Sequence, residues 1–291
     1  MIGLRKQRTI SSTVAVEGFG FWSGRDVRLE FRPAEDNTGI VFVRRDMARP
    51  ARIPARVDYR VEVPRRTVLS HGGGKVEMIE HVMAALAGLG VDNCEVWTDE
   101  PEMPGFDGSS LPFVVALESA GIVEQHAPRA RMTVQSVTRL GNDDSWVEAR
   151  PGAANSFSAK FRLDYGKDNA IGRQTLELRI TPESFKRELA PARTFMLREE
   201  ADWLLARGLG TRVTRQHVLV FGNEGVEDNE LRFEDECVRH KLLDLVGDLA
   251  LSGVDLVGHF VAHRSGHRLN ADLVRALLNE EEITEDYRRI A

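Results

Sequence analysis

The chain has 291 residues, which suits two globular domains better than one or three. It is 42% hydrophobic and 29% charged with a net charge of −6, an ordinary globular composition that argues against nucleic acid as the partner. Cys94 and Cys237 stand far apart and outside any CxxC pair, so neither a sulfur-ligated metal nor a disulfide framework is expected.

The N-terminal MIGLRKQRTISS has basic residues but lacks the apolar core of a secretory signal. No run of about 18 or more apolar residues follows, so no stable membrane insertion is expected. Two reduced buried thiols fit a cytoplasmic protein. No heptad or apolar stripe demands a partner chain, so a monomer is expected.

The first third reads as strands. Val27–Phe31 alternates apolar and charged residues, and Ile40–Val43 is a second apolar run. His71-Gly72-Gly73-Gly74 marks a turn. Met78–Leu89 reads as a helix with Met78, Val82, Ala85 and Leu89 on one face and Gly90 as its stop. A strand near Cys94–Trp97 and a helix over Leu111–Ala120 follow. Gly121–Arg131, polar with a proline, reads as a linker and divides the chain into domains 1–126 and 127–291.

Beyond it the pattern starts again. Strands are expected near Met132–Val137, Trp146–Arg150, Phe157–Leu163, Leu176–Ile180 and Leu256–His263. Helices are expected near Pro182–Leu189, capped by Thr181, near Arg198–Arg207, over Glu234–Leu251 and from about Asn270. Ile79-Glu80-His81, leading to Leu89-Gly90-Val91-Asp92, is echoed by Val238-Arg239-His240, leading to Ser252-Gly253-Val254-Asp255. The fold class that follows is α+β: two similar domains, each a β-sheet with helices on one face.

Three segments carry ionisable groups in unusual company. His240 and Asp244 lie four apart on a predicted helix and project from one face, a spacing at which an imidazole and a carboxylate can hold one Zn²⁺. Asp248 continues the stripe and could orient a second histidine. The plainer alternative is a solvated face with an i,i+4 pair. Glu80-His81 opens an otherwise apolar helix. The pair is costly to bury unless paired or metal-bound; alternatively it is an exposed helix start with Glu80 at the positive end of the dipole. His263–Asn270 forms a turn in which His267 could act as a general acid, or which is simply a basic surface loop.

A resemblance links the three. The strings IEHVMAALAGLGVDN (79–93), PGFDGSSLPFV (104–114), ARTF (192–195), LRFEDECVRHKLLDLVGDL (231–249) and SGHRLN (265–270), in this order, resemble the UDP-3-O-acyl-N-acetylglucosamine deacetylase family over essentially the whole chain. The resemblance implies two α+β domains packed together with a metal site between them. It implies a hydrolase of lipid A biosynthesis that uses Zn²⁺, although Fe²⁺ suits the same His₂–carboxylate set. The implied metal ligands are His81, His240 and Asp244. Glu80 is implied as general base, His267 as general acid, Asp248 as its support and Thr194 as an oxyanion donor. Lys241, Phe195 and Arg264 are implied at the substrate, and Asp164 and Tyr165 near the nucleotide. The implied partner is a UDP-linked acylated amino sugar.

The chain departs from the family pattern at Trp22, where the family has a histidine, and at Met196-Leu197 after ARTF. It departs again at Gly210–His217, where glycines give way to arginines. These changes should reshape the acyl region. They leave room for a paralogue that acts on another acylated amino sugar, or for a non-catalytic sugar-nucleotide-binding protein.

Overall fold

The computed structural model describes residues 4–290, and side chains through residue 280. Its frame is two five-stranded sheets of matching design. The first runs, edge to edge, Val14–Phe19, Asp26–Pro33, Cys94–Thr98, Ile40–Arg44 and Ala51–Pro54. The second runs Thr138–Gly141, Trp146–Arg150, Asp255–His263, Phe157–Asp164 and Arg173–Arg179, with Arg131–Thr133 also pairing with the central strand. Numbered along the chain, both orders are first, second, fifth, third, fourth. Along each five-strand path the fifth–third pair is parallel and the others antiparallel, and Arg131–Thr133 joins its central strand in parallel too.

A helix leads into the fifth strand of each sheet, Glu80–Leu89 in one half and Glu236–Leu249 in the other. A second helix follows that strand, Leu111–Ala120 and His267–Ile290. The echo between the Glu-His and Arg-His helices is therefore an architectural repeat, and the α+β reading stands.

The two lead-in helices pack directly against each other. One continuous core runs from Phe31 and Phe42 of the first sheet, through Val82, Leu86, Leu242 and Leu245, to Phe161 and Phe260 of the second. The helices approach closely at Gly247, where a Cβ would stand 2.2 Å from the Glu80 carbonyl oxygen. Only glycine permits that crossing.

Several elements differ from their sequence reading for physical reasons. The first helix starts at Glu80, because Met78 takes a left-handed conformation (φ 59°) that no helix continues. Ile122–Pro128, within the segment read as a linker, is a strand paired antiparallel with Lys6–Ile10. Its alternating half-buried residues were masked by their polarity. Pro182–Ser184 forms one helical turn, with Thr181 as the expected cap, and then widens into a π turn over Phe185–Leu189. His71–Gly74 is the turn of a hairpin between Val68–His71 and Gly74–Glu77, with both Gly72 and Gly73 at positive φ. Among the described residues no helix is long and apolar enough to cross a membrane.

Candidate metal centre and active-site cavity

The packing of the two lead-in helices brings His81 to His240 and Asp244. Their ligand atoms lie within 4.8 Å of one another, and all three residues are buried. Asp244 Oδ1 sits 3.7 Å from His81 Nε2 and 3.6 Å from His240 Nε2. It has no hydrogen-bond partner, a costly state for a buried carboxylate oxygen. The other oxygen, Oδ2, accepts from Lys241 Nζ at 2.8 Å. His240 Nδ1–H donates to the Ala192 carbonyl at 3.2 Å, which leaves Nε2 with a lone pair facing the cluster.

Burial pushes His81 down to about 3, helped by the neighbouring His240. Burial lowers His240 as well. Burial alone would raise Asp244, but Lys241 and the histidines outweigh it and hold the carboxyl well below its usual range. Two neutral imidazoles and an ionised carboxylate, with one oxygen unpartnered between the rings, are the donor set a divalent metal requires. The residues fit the ion.

Glu80, adjacent to His81 on the helix, is pushed up to about 7, chiefly by burial. Its Oε2 accepts the Thr67 backbone N–H at 3.0 Å. His267 opens the last helix and donates from Nδ1 to Asp248 Oδ2 at 2.8 Å. Burial opposes its charge, yet the Asp248 carboxylate overcomes this and lifts the imidazole to about 9. Asp248 also accepts from Asn270 Nδ2 at 2.8 Å and from the Thr67 hydroxyl at 2.8 Å. Asn270 in turn accepts from Ser265 at 2.9 Å.

These groups surround a cavity of about 1090 Å³. Glu80, His81, His240, Lys241, Asp244 and His267 line it, as do Thr194, Phe195, Asp164, Tyr165 and Arg264. Every site residue singled out in the sequence is therefore at the cavity wall except Asp248, which stands behind His267. The Thr194 hydroxyl donates to the Gly108 carbonyl at 3.0 Å. Phe195 and Tyr165 form an edge contact with ring centroids 6.1 Å apart. Asp164 is held below its usual range by the Gly166 N–H and by Arg173. Met78, Arg65 and Arg264, all non-glycine residues at positive φ, also line the wall, so backbone strain gathers around the site.

Trp22, Met196 and Val213 line this cavity and pack with Phe21 and Val220 in one hydrophobic cluster. Buried Glu102 accepts the backbone N–H groups of Trp22 and Ser23 at 2.7 and 2.8 Å and so fixes that turn. Arg212 crosses to the Gly24 carbonyl at 2.6 Å and to Asp26 at 2.7 Å. Arg212 thus ties its loop to the turn carrying Trp22.

Thr67, Glu102 and the buried Arg193–Glu236 pair escaped the sequence reading. The last had a signal available, since both residues lie inside quoted strings: Arg193 in ARTF and Glu236 in the long-helix motif. Thr67 and Glu102 had none.

A buried His₂–Asp cluster beside a carboxyl raised by burial and an imidazole raised by a carboxylate, all lining one cavity, is the arrangement of a metal-dependent hydrolase. Residues 7–279 match the family UDP-3-O-acyl N-acetylglycosamine deacetylase, and the chain belongs to that family. It is 39% identical to a UDP-3-O-acyl-N-acetylglucosamine deacetylase of Actinobacillus succinogenes over 284 residues, covering 96% of this chain and 92% of the relative. The deacetylase of the same name from Myxococcus xanthus is 38% identical over 275 residues, covering 94% and 87%. That of Shewanella oneidensis is 38% identical over 282 residues, covering 96% and 92%.

Proposed function

We propose that the protein removes the N-acetyl group of UDP-3-O-(3-hydroxyacyl)-N-acetylglucosamine, giving acetate and UDP-3-O-acyl-glucosamine for lipid A biosynthesis. The observation that carries this reading is the cavity itself: the metal cluster, a raised carboxyl and a stabilised imidazolium all line it, together with apolar side chains such as Trp22, Met196, Leu204 and Val220.

His81, His240 and Asp244 would hold the metal, with Zn²⁺ as the proposed ion and Fe²⁺ compatible with the same donors. When bound, the ion supplies Lewis acidity, polarising an amide carbonyl and acidifying water. Glu80 takes the proton of the attacking water, and its elevated pKa suits a base working near neutrality. His267, protonated through Asp248, gives its Nε2 proton to the departing sugar amine. Without that proton the amine is too poor a leaving group. The Thr194 hydroxyl turns from the Gly108 carbonyl to the developing oxyanion. Lys241 balances the charge of Asp244 and faces the substrate. Phe195 packs against the sugar side, and Asp164, Tyr165 and Arg264 form the polar end suited to the nucleotide.

The test is acetate release by metal-stripped protein, with and without stoichiometric Zn²⁺. Zinc-dependent release supports the reading, and zinc bound without turnover overturns it. Hydrolysis of a different acylated amino sugar is the second reading. It is favoured by the presence of Trp22, Met196 and Val213 on the cavity lining, where they bear on which acyl group fits.

A further inference from the structure

Thr67 is buried to 1% exposure and immediately precedes the strand Val68–His71. The chain reaches it through Arg65, held at φ 66°, and through Arg66, pinned by a 2.8 Å bond from its Nε to Glu77. Its two polar groups point to two different places. The backbone N–H meets Glu80 Oε2 at 3.0 Å, and the hydroxyl meets Asp248 Oδ1 at 2.8 Å, from a position 181 residues away in sequence. Both bonds are fully buried.

We propose that Thr67 is a positioning residue that joins the two proton-transfer arms of the site, fixing the Glu80 carboxylate with its amide and the Asp248 carboxylate with its hydroxyl. The inference rests on the deacetylase reading and adds a member to its machinery.

The argument follows from the acceptor capacity of Asp248. A buried carboxylate is stable only when its lone pairs are occupied. Asp248 Oδ2 serves His267 and Asn270, while Oδ1 receives the Thr67 hydroxyl. Each donor draws charge from the carboxylate. Without Thr67, more of the negative charge of Asp248 falls on the His267 imidazolium, which then keeps its proton more tightly and yields it less readily to a leaving amine. The Oδ1 bond also stops the carboxylate turning about its Cβ–Cγ axis, so the ring it supports keeps one orientation. The amide bond does the same for the base. One residue therefore holds a fixed spacing between the proton acceptor on one lead-in helix and the proton donor supported by the other.

Thr67→Val removes the hydroxyl and keeps both the volume and the backbone N–H. In zinc-loaded protein it should lower kcat about 10- to 100-fold, less than the roughly 10²–10⁴-fold expected when the acid itself is removed, with KM and zinc content unchanged. Titration of the His267 imidazole by NMR should move upward, a shift that loss of packing alone does not produce. Thr67→Ser should restore both values. In an Asp248→Ala background Thr67→Val should add no further loss, because its route of action is gone. Thr67→Ala removes the same hydroxyl and provides the same readouts should the valine variant fail to fold.

Wild-type kcat and an unmoved imidazole in Thr67→Val, or a kcat loss accounted for by lost zinc, would overturn the inference. If the wild-type protein does not release acetate, the functional reading fails, while the NMR titration still decides what Thr67 does to His267.

Discussion

Glu80 and His267 show how burial and a single neighbour prepare two side chains in one cavity for the opposite tasks proposed for them. Burial raises the Glu80 carboxyl to about 7. At His267 the same burial is outweighed by Asp248, which lifts the imidazole to about 9. In the proposed mechanism Glu80 must be ionised as base and His267 protonated as acid, so kcat/KM should follow a bell between these two limbs. A divalent cation nearby favours the Glu80 carboxylate and disfavours the His267 imidazolium, so in the zinc-loaded enzyme both limbs should lie below these values. Asp248→Asn should bring the alkaline limb down further; an unmoved limb would remove His267 as the acid. Stability should show the same linkage. The folded pKa of His267 exceeds its unfolded value, so its contribution is complete below about 6.5 and is lost as pH rises through about 9. The variants Glu80→Ala and His267→Ala should each lose about 10²–10⁴-fold in kcat with zinc retained, as measured by acetate release and metal analysis.

Apolar neighbours made the Glu80-His81 pair and the His240–Asp244 spacing conspicuous in the sequence, but the family resemblance was what joined them with His267 in one site. An ionisable pair at the head of Val82-Met83-Ala84-Ala85-Leu86, or His240 and Asp244 in a leucine-rich helix, has few inexpensive explanations once buried. Thr67 was illegible because a threonine before a strand is commonplace, and its partner lies 181 residues away.

At the scale of elements, function depends on how two helices cross. His81 belongs to Glu80–Leu89 and the other two ligands to Glu236–Leu249, so the metal cluster records the distance between these helices. Gly247 sets that distance. In Gly247→Ala the new Cβ would stand 2.2 Å from a backbone oxygen that has no rotamer to escape into. The helices must part, which should cost about 1–3 kcal/mol in denaturant unfolding and weaken zinc binding with it. Unchanged zinc affinity would show that the ligands do not depend on the crossing.

The Arg193–Glu236 pair performs a related task at the head of the second helix. Arg193 Nε donates to Glu236 Oε1 at 2.8 Å, with side-chain exposures of 6% and 0%. This tethers the loop that presents Thr194 and Phe195. Glu236→Ala leaves a buried guanidinium without its anion and should cost about 3–5 kcal/mol in the same experiment. The helix itself was legible from its periodicity; its ionic anchor required knowing that ARTF folds back onto it. The strand Ile122–Pro128 was missed for the converse reason: its pairing with Lys6–Ile10 is a long-range fact that polar alternation does not announce.

Across the whole molecule, the repeated strand order places equivalent helices face to face. His81 comes from one repeat and His240 with Asp244 from the other, and the proposed acid–base pair divides in the same way between Glu80 and His267. Neither half holds a complete metal site or a complete proton-transfer pair, so metal binding should report on their assembly. An ion that binds only the folded state adds about 2.7 kcal/mol of stability at 100 times its Kd. Because the ligands bridge the repeats, that stabilisation should reach both of them. Hydrogen exchange on addition of Zn²⁺ should therefore slow together in Glu80–Leu89 and Glu236–Leu249, and His81→Ala should abolish the effect in the helix that it does not belong to. Protection confined to Glu236–Leu249 would mean that His240 and Asp244 bind the ion alone, and that the match between the two halves serves packing rather than the metal.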